Sequence, residues 1–344
     1  MASVLVIADE WKGTSLAAKL AMDGHIVKIY PLDRVVRLKG FKNLTYLGNP
    51  SPLIEQFDLI LGNNESFDIP DGLHHLGGSS FISKLANDSQ YQLKVINSLL
   101  GEYISPINLS NELIPFTLSC WVDNMKIYTP FFLTLHHERL MPSNIGPRIE
   151  MGLVTSPLPD NSEVGKVMMQ LLELLVKVKF VGLLSLTGIA TQEAITITRI
   201  SGELSDSLLL AMSELIIEPL FDFLYKLSTN ELKGVTFEHH PFHGMAVTLL
   251  NPPGSEVNKI KIEPRALKHF HLANMQKDED DYSLATDDSL IGYITARGDT
   301  LRECRRRVYR TLERLKPPKE WMYRIDAGEG IADQLSQLTQ WGWV

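Results

Sequence analysis

Cysteine is scarce in this sequence, since only Cys120 and Cys304 occur among its 344 residues. Two cysteines cannot form the disulfide framework of many secreted proteins, so we expect buried free thiols and a reducing compartment. Long hydrophobic runs are also missing. The stretches "LLELLVKVKFVGLLSL" and "LLLAMSELIIEPLFDFL" are interrupted by charges before the ~20 residues that a membrane span requires. The amino-terminal "MASVLVIADEWKG" lacks the basic segment of a signal peptide, so we expect a cytoplasmic protein without a membrane partner.

Positive charge is in deficit, because 33 lysines and arginines face 41 aspartates and glutamates, giving a formal net charge of −8. An acidic balance argues against nucleic acid as a partner. The segment "RECRRRVYRTLERL" is the exception, and it carries Arg305, Arg306, Arg307 and Arg310 close together. We interpret these arginines as the solvated face of an amphipathic helix, and we expect no nucleic-acid binding.

Several short catalytic patterns are absent from the sequence: the GxGxxG and Walker A glycine loops, the GxSxG elbow and HExxH. The nearest feature is the turn between the first strand and the first helix, where Lys12 precedes Gly13, Thr14 and Ser15. The free N–H groups of a helix N-terminus could hold a phosphate there. An ordinary helix cap explains the same residues and is the favoured interpretation.

Histidines occur in small clusters, of which "HHPFH" at 239–243 is the densest. A metal site would need further cysteine or carboxylate ligands, and none lies close in sequence. Pro241 also imposes an extended spacing on its neighbours. We therefore expect a polar strand end at this segment and no metal site.

The chain length and the apolar patterns together predict three parts. Residues 1–101 alternate between buried strands and helices, among them helices predicted at 71–77 and 81–101, which predicts a Rossmann-like parallel α/β domain. Residues 102–232 predict a central antiparallel sheet covered by helices, one of them over the apolar stretch 205–227. Residues 233–344 predict a small β-rich module with a closing helix. The interval "QKDEDDYSLATDD" is predicted to be a solvated loop. Ligands of the first domain would lie beyond the carboxyl ends of its strands.

The segment "NIGPRIEMG", 144–152, predicts a loop that lets the backbone approach another group closely. Gly146 and Gly152 are expected to form a tight turn that faces the cleft at the edge of the first domain's sheet. The turn could be a plain surface hairpin. Alternatively it could hold an anion, with Arg148 and Lys12 as the binding cations.

The carboxyl-terminal "SLIGYITARGDTLRECRRRVYRTLERLKPPKEWMYRIDAGEGI" resembles the closing module of the phosphoribosylamine–glycine ligase family. Residues 324–328 are similar to that family's Arg-x-Asp-Ile-Gly signature. The family's Gly-Pro-Asn-Thr-Gly-Gly-Met-Gly loop is matched at its ends by Gly146-Pro147 and Met151-Gly152. The order of segments agrees over nearly the whole chain. The resemblance implies an ATP-grasp fold, a substrate-binding role for these four residues, and a ligase that joins glycine to phosphoribosylamine through an acyl phosphate made from ATP.

The resemblance weakens where phosphoryl transfer would need charge. The glycine- and lysine-rich lid of the family should lie at about 102–116, where only "EYISPINLSNELIPF" is found, so we expect a missing or vestigial lid. Ser89 stands at the position of a family cation. Ile195 stands at the position of the metal-binding Glu, and Thr196 or Ile197 at that of the Asn. Arg199 matches the family's Arg. Glu193 and Glu203 are nearby but out of register with the metal ligands, since odd offsets on a strand point to the opposite face.

Three hypotheses follow from this pattern. The first is a catalytically degenerate ATP-grasp scaffold that works by binding or assembly, with a protein partner or with itself, and with neither cofactor nor metal. The second is an active ligase of purine nucleotide synthesis that uses ATP and magnesium. The third is a sugar-phosphate-binding protein without turnover. It requires Lys12, Arg148 and Arg199 to converge on one cavity.

Overall fold

The computed structural model describes residues 1–62, 69–70, 72–77, 113–123, 126–159, 161–169, 180–252 and 259–344. The strands are β1 (Ser3–Ala8), β2 (Ile26–Pro31), β3 (Leu38–Lys39), β4 (Leu44–Tyr46), β5 (Leu59–Gly62), β6 (His75–Gly77), β7 (Ile114–Val122), β8 (Ile127–Met141), β9 (Ile145–Pro157), β10 (Gly182–Ala190), β11 (Ile195–Ser201), β12 (His243–Leu250), β13 (Ile260–Lys261), β14 (Phe270–Leu272), β15 (Met275–Asp278), β16 (Asp281–Leu284) and β17 (Leu290–Gly298). The α-helices are α1 (Thr14–Met22), α2 (Glu163–Met169), α3 (Asp206–Ser213), α4 (Leu220–Ser228), α5 (Pro264–Leu267), α6 (Leu301–Leu315) and α7 (Ile331–Gln340). Within these residues, no helix is long and apolar enough to cross a bilayer.

The amino-terminal part is a parallel sheet with the strand order β4-β2-β1-β5-β6. Strand β1 is central, and the side chains of residues 4–8 are fully buried. Helix α1 connects β1 to β2 and buries Leu16, Leu20 and its alanines. A continuous Val/Ile/Leu run is typical of a strand covered on both faces, so the predicted parallel α/β layer is confirmed.

The larger sheet is antiparallel and has eight strands in the order β11-β10-β7-β8-β9-β12-β17-β14. Its first five strands come from the predicted central segment, and its last three come from the predicted carboxyl-terminal segment. The boundary that we placed at 232/233 therefore falls inside one continuous sheet, and the boundary at 101/102 lies outside the described residues. The mixed α/β and antiparallel fold class is confirmed.

A small third sheet has the order β13-β16-β15-β3. The prediction of a solvated loop for "QKDEDDYSLATDD" is wrong, because most of this segment forms the hairpin of β15 and β16. Asp278, Glu279 and Asp280 are exposed, while Met275 and Tyr282 are buried. Glu279 takes a positive φ of 55° at the turn. Strand β3 of the amino-terminal part pairs in parallel with β15, so this sheet ties the two ends of the chain together.

Two helix predictions need correction. The apolar stretch 205–227 was expected to be one helix, but it forms α3 and α4 with a break before Pro219. Proline has no N–H group and disfavours the helical conformation of the preceding residue, which explains the break. The segment 71–77 was expected to be helical, yet it contains β6, whose Leu76 is buried. The helix predicted at 81–101 lies outside the described residues.

The closing helix α6 is confirmed. Its first turn is capped by Thr300, whose side chain accepts a hydrogen bond from the N–H of Glu303. Val308, Leu312 and the other apolar side chains are buried, and most of its arginines are exposed. The shorter helix α7 follows it.

Candidate functional site

The turn after β1 presents the N-terminus of α1 to the rest of the molecule. Gly13 has a φ of 89°, a left-handed conformation that glycine adopts without strain. The expected side-chain cap from this turn is not formed. Instead, Asp206 caps α1 from a distance of 193 residues in sequence: Oδ1 accepts the Gly13 N–H at 2.7 Å and Oδ2 accepts the Ser15 N–H at 2.9 Å. An internal carboxylate therefore occupies the place where a bound phosphate would sit.

Asp206 is also the first residue of α3, so the N-termini of two helices meet at one carboxylate. The side chain is 3% exposed. Burial raises its pKa to about 7, while the N–H groups of Gly13, Ser15 and Leu16 act in the opposite direction. The positive ends of both helix dipoles favour an anion at this point. We call this contact the α1–α3 junction.

Two predicted site residues meet beside the α1–α3 junction. Nζ of Lys12 lies 3.4 Å from Oε2 of Glu203, and Nη2 of Arg199 lies 3.7 Å from Oε1 of the same side chain. Glu203 precedes α3, and Arg199 lies on the edge strand β11. Lys12 and Arg199 are thus brought together, but a protein carboxylate lies between them.

A second polar group lies on the sheet side of α3. The hydroxyl of Ser207 donates to Oε1 of Glu150, and Nδ1 of His136 lies 3.4 Å from Oε2. The other ring nitrogen of His136 is 3.0 Å from Oγ1 of Thr117. Desolvation would raise the pKa of Glu150, but the contacts with His136 and Ser207 lower it overall. Glu150 is therefore an ionised carboxylate near neutral pH.

The segment 144–152 is not the loop that we predicted. It is the first half of β9, and the actual turn is the 3₁₀ segment Pro142–Asn144. The pairing of β8 with β9 shifts register twice near this turn, which accommodates Pro147 in a strand. Glycine and proline signal such irregular strands as well as loops, which explains the wrong prediction.

The predicted binding residues of this segment all lie in β9. Gly146 does adopt a positive φ of 85° beside the turn. A Cβ at Gly152 would lie 3.0 Å from the carbonyl oxygen of Ala246, so the group that approaches closely is the neighbouring strand β12. Met151 is fully buried in the core. Arg148 pairs with Arg139 across the hairpin through the backbone, and its side chain lies outside the described part of the structure.

The signature 324–328 locks this hairpin to the carboxyl-terminal part. Arg324 is 2% exposed and forms a bidentate ion pair with Asp326, at 2.6 and 2.7 Å. Asp326 also accepts the N–H of Ser143 in the hairpin turn at 3.0 Å. Nε2 of His137 accepts the N–H of Gly328 at 2.8 Å. The residues that carry the family resemblance thus hold the structure together here.

Several solved structures are similar to this chain in fold. Phosphoribosylamine–glycine ligase from Thermotoga maritima superposes with a TM-score of 0.70 at 13% identity, covering 94% of this chain and 99% of that one. The N5-carboxyaminoimidazole ribonucleotide synthetase of the same organism gives 0.55 at 12% identity over 94% and 100% of the two chains. The N5-carboxyaminoimidazole synthetase of Staphylococcus aureus gives 0.54 at 12% identity over 91% and 97%.

The chain has the ATP-grasp fold. The resemblance noted in the sequence is therefore confirmed for the fold. A scan of family models and a search of curated protein sequences found no match.

Within the ATP-grasp fold, β11 is the strand where the resemblance places the metal ligands. Ile195 and Ile197 are 1% and 3% exposed and belong to the apolar core. Thr196 and Thr198 alternate with them on the other face. Among the described residues, no group of three His, Cys, Asp or Glu side chains is arranged to hold a metal ion.

Two further predictions concern Ser89 and the connector expected in place of the lid. Ser89 and residues 102–112 of the expected lid connector lie outside the described residues. The predicted end of that connector, at residue 116, is wrong because Ile114 and Phe116 already belong to β7. The histidines of "HHPFH" contact backbone, strand and aromatic neighbours.

Sequence reasoning missed Asp206, which is central to this region, and rejected Glu203 as out of register. "SDS" before an apolar run does signal the start of a helix. Nothing local indicates that the aspartate caps a different helix, because that contact depends on tertiary packing.

Proposed function

We propose that this protein is an ATP-grasp scaffold that works by binding or assembly and does not carry out phosphoryl transfer. The observation that carries the proposal is the α1–α3 junction. Asp206 accepts the N–H groups of Gly13 and Ser15 at the N-terminus of α1, and we call this position the anion seat. The anion seat lies at the carboxyl end of the parallel sheet, the edge at which such sheets bind their ligands.

The charges around the junction support the proposal. Phosphoryl transfer depends on positive charge and metal ions placed around the phosphates. Lys12 and Arg199 both contact Glu203, so their charges are partly offset. Ile195, at the position that the resemblance assigns to the metal-binding Glu, is apolar and buried. Neither Thr196 nor Ile197, the two candidates for the Asn position, carries a carboxylate or an amide side chain.

A second candidate, an active ligase, is favoured by one observation. Glu150 and Glu203 are carboxylates that remain near the start of α3, and Glu150 is ionised. If they replaced the lost ligands, magnesium would have to displace His136 from Glu150 and Lys12 from Glu203. The same experiment distinguishes this candidate from the first.

The test measures nucleotide binding and acyl-phosphate formation on the full chain. Calorimetry with ATP and magnesium should give no dissociation constant in the micromolar range. Incubation with ATP, magnesium, glycine and hydroxylamine, which traps an acyl phosphate, should give no glycine-dependent ADP. Phosphoribosylamine–glycine ligase from Thermotoga maritima serves as the positive control in both assays.

Micromolar affinity for Mg-ATP, or ADP formation that depends on glycine, would reject the scaffold and favour the ligase. A loss of that activity in Glu150→Gln and Glu203→Gln would then assign the metal to these carboxylates. Retention of activity in both variants would place the metal elsewhere.

A further inference from the structure

A cleft with two lobes lies at the other end of α1, between α3, α5, β17 and α6. The first lobe, of about 380 Å³, is lined by five cationic side chains: Lys268, Arg297, Arg307, Arg310 and Arg314. The second lobe, of about 450 Å³, contains Lys19 and Met22 from the end of α1. Both lobes share Glu214, Lys268 and His269, so they form one continuous cleft.

The positive charge of the first lobe is poorly balanced. Glu214 is the carboxylate that lines it, and it already accepts hydrogen bonds from His269 Nδ1 at 2.9 Å and Thr295 Oγ1 at 2.7 Å. Arg307 pairs with Glu303. Within the described part of the chain, Lys268, Arg310 and Arg314 make no hydrogen bond or ion pair. Such a concentration of cations is unexpected in a protein with a net charge of −8 and is suited to an anionic ligand.

The second lobe has a different chemical character. Met22 and Leu267 supply apolar surface. Thr295 donates to Glu214, so its hydroxyl oxygen accepts from Nε2 of His271 at 2.8 Å. Nδ1 of His271 is therefore an acceptor, and it is buried without a hydrogen-bond partner among the described residues. The apolar surface of Met22 and Leu267 suits the organic part of a small ligand.

The cleft is separate from the α1–α3 junction. The α1–α3 junction uses the N-terminus of α1, whereas Lys19, Met22 and Asp23 lie at its C-terminus. An α-helix rises ~1.5 Å per residue, so the length of α1 puts about 12 Å between the two places. A ligand in this cleft would leave the junction undisturbed.

We propose that this cleft binds a phosphorylated small molecule, with its phosphate in the cationic lobe and its organic part in the second lobe. The concave shape and the small volume favour a small ligand over a nucleic-acid backbone. Outside the lobe, two of the three remaining arginines of α6 are paired, because Arg305 contacts Glu329 and Arg306 contacts Glu303. The lobe therefore does not continue into an extended unpaired basic surface.

The test compares two variants with the same change of charge on the same helix. Arg310→Gln with Arg314→Gln removes two cations of the lobe. Arg302→Gln with Arg306→Gln removes two exposed cations of α6 that do not line the lobe. Calorimetry with inorganic phosphate, ribose 5-phosphate and adenosine monophosphate is run on the full chain and both variants.

We expect at least one organic phosphate to bind more tightly than inorganic phosphate. Its affinity should fall about tenfold or more in the Arg310/Arg314 variant and change less than about twofold in the control. The absence of binding by both organic phosphates up to about 1 mM would overturn the proposal, as would equal losses in both variants. Tighter binding of inorganic phosphate would overturn the role of the second lobe. An oligonucleotide that binds and is weakened by both changes would reassign α6 to nucleic acid.

Discussion

Asp206 illustrates how one side chain can decide what a fold is able to bind. It satisfies backbone N–H groups that a free helix N-terminus would offer to an anionic ligand. If it were removed, the seat would be empty and buried polar groups would lose their partners.

We predict that Asp206→Ala lowers the free energy of unfolding by about 2–4 kcal/mol, because buried N–H groups at Gly13 and Ser15 are left unpaired. Sulfate should then stabilise the variant more than the wild type by binding at the vacated seat. Urea unfolding with and without sulfate measures both effects. Glu313→Ala removes an exposed charge and is the matched control. Equal stabilisation of wild type and variant by sulfate would contradict the anion seat.

His137 should make stability dependent on pH. Burial lowers its pKa to about 4, and Arg324 adds to the shift. The unfolded chain takes up the proton near the ordinary value of 6.5, so stability falls as pH decreases from about 6.5 to 4. The contribution of this one residue is about 3 kcal/mol.

The measurement is urea unfolding at several pH values in that window, for the wild type and His137→Gln. The variant should lose about 3 kcal/mol less stability than the wild type between the two ends of the window. Parallel curves for the two proteins would show that His137 does not titrate as described.

At the scale of elements, the β8–β9 hairpin is held by the 324–328 segment. We predict that Asp326→Asn destabilises the protein by about 3–5 kcal/mol, because Arg324 would be left as a buried charge without its carboxylate. Hydrogen exchange of the Ser143 N–H should also accelerate, since this group donates to Asp326. Chemical unfolding and amide exchange give the two readouts.

Glu329→Gln is the control for this prediction, since Glu329 pairs with Arg305 on the surface. Exposed pairs contribute little, so its effect should stay below about 1 kcal/mol. A similar loss in the two variants would show that the Arg324–Asp326 pair is not the anchor.

The elements also show what the sequence could predict. Strands such as β1 and β10 were predictable because burial on both faces requires long apolar runs. The hairpin of β15 and β16 was not, because its apolar positions are few and its acidic turn is typical of a loop. Residues 144–152 were misjudged since glycine and proline occur in bulged strands as well as in turns.

At the scale of the molecule, the fold could be predicted from the sequence because the order of strands and helices is shared with proteins of low sequence identity. The candidate site was only partly readable. Lys12 and Arg199 were selected from their local context and do lie close together, but their shared partner Glu203 and the capping Asp206 depend on packing between distant segments.

Long-range contacts also link the amino-terminal sheet to the rest of the described structure. The amino-terminal sheet is fastened to the rest by Asp206, by the pairing of β3 with β15, and by Arg37, whose buried side chain contacts Asp288 at 2.6 Å. We therefore predict a single calorimetric unfolding transition, with equal calorimetric and van't Hoff enthalpies.

Removing two of these contacts together should make the amino-terminal sheet unfold separately from the rest of the molecule. The double variant Arg37→Ala with Asp206→Ala is expected to show two transitions, of which the earlier belongs to the amino-terminal sheet. Lys42→Ala with Glu313→Ala changes two exposed charges and should keep a single transition. Two transitions in the wild type would show that these contacts do not couple the parallel sheet to the rest of the molecule. One cooperative transition in the Arg37/Asp206 variant would show that other contacts hold the sheet.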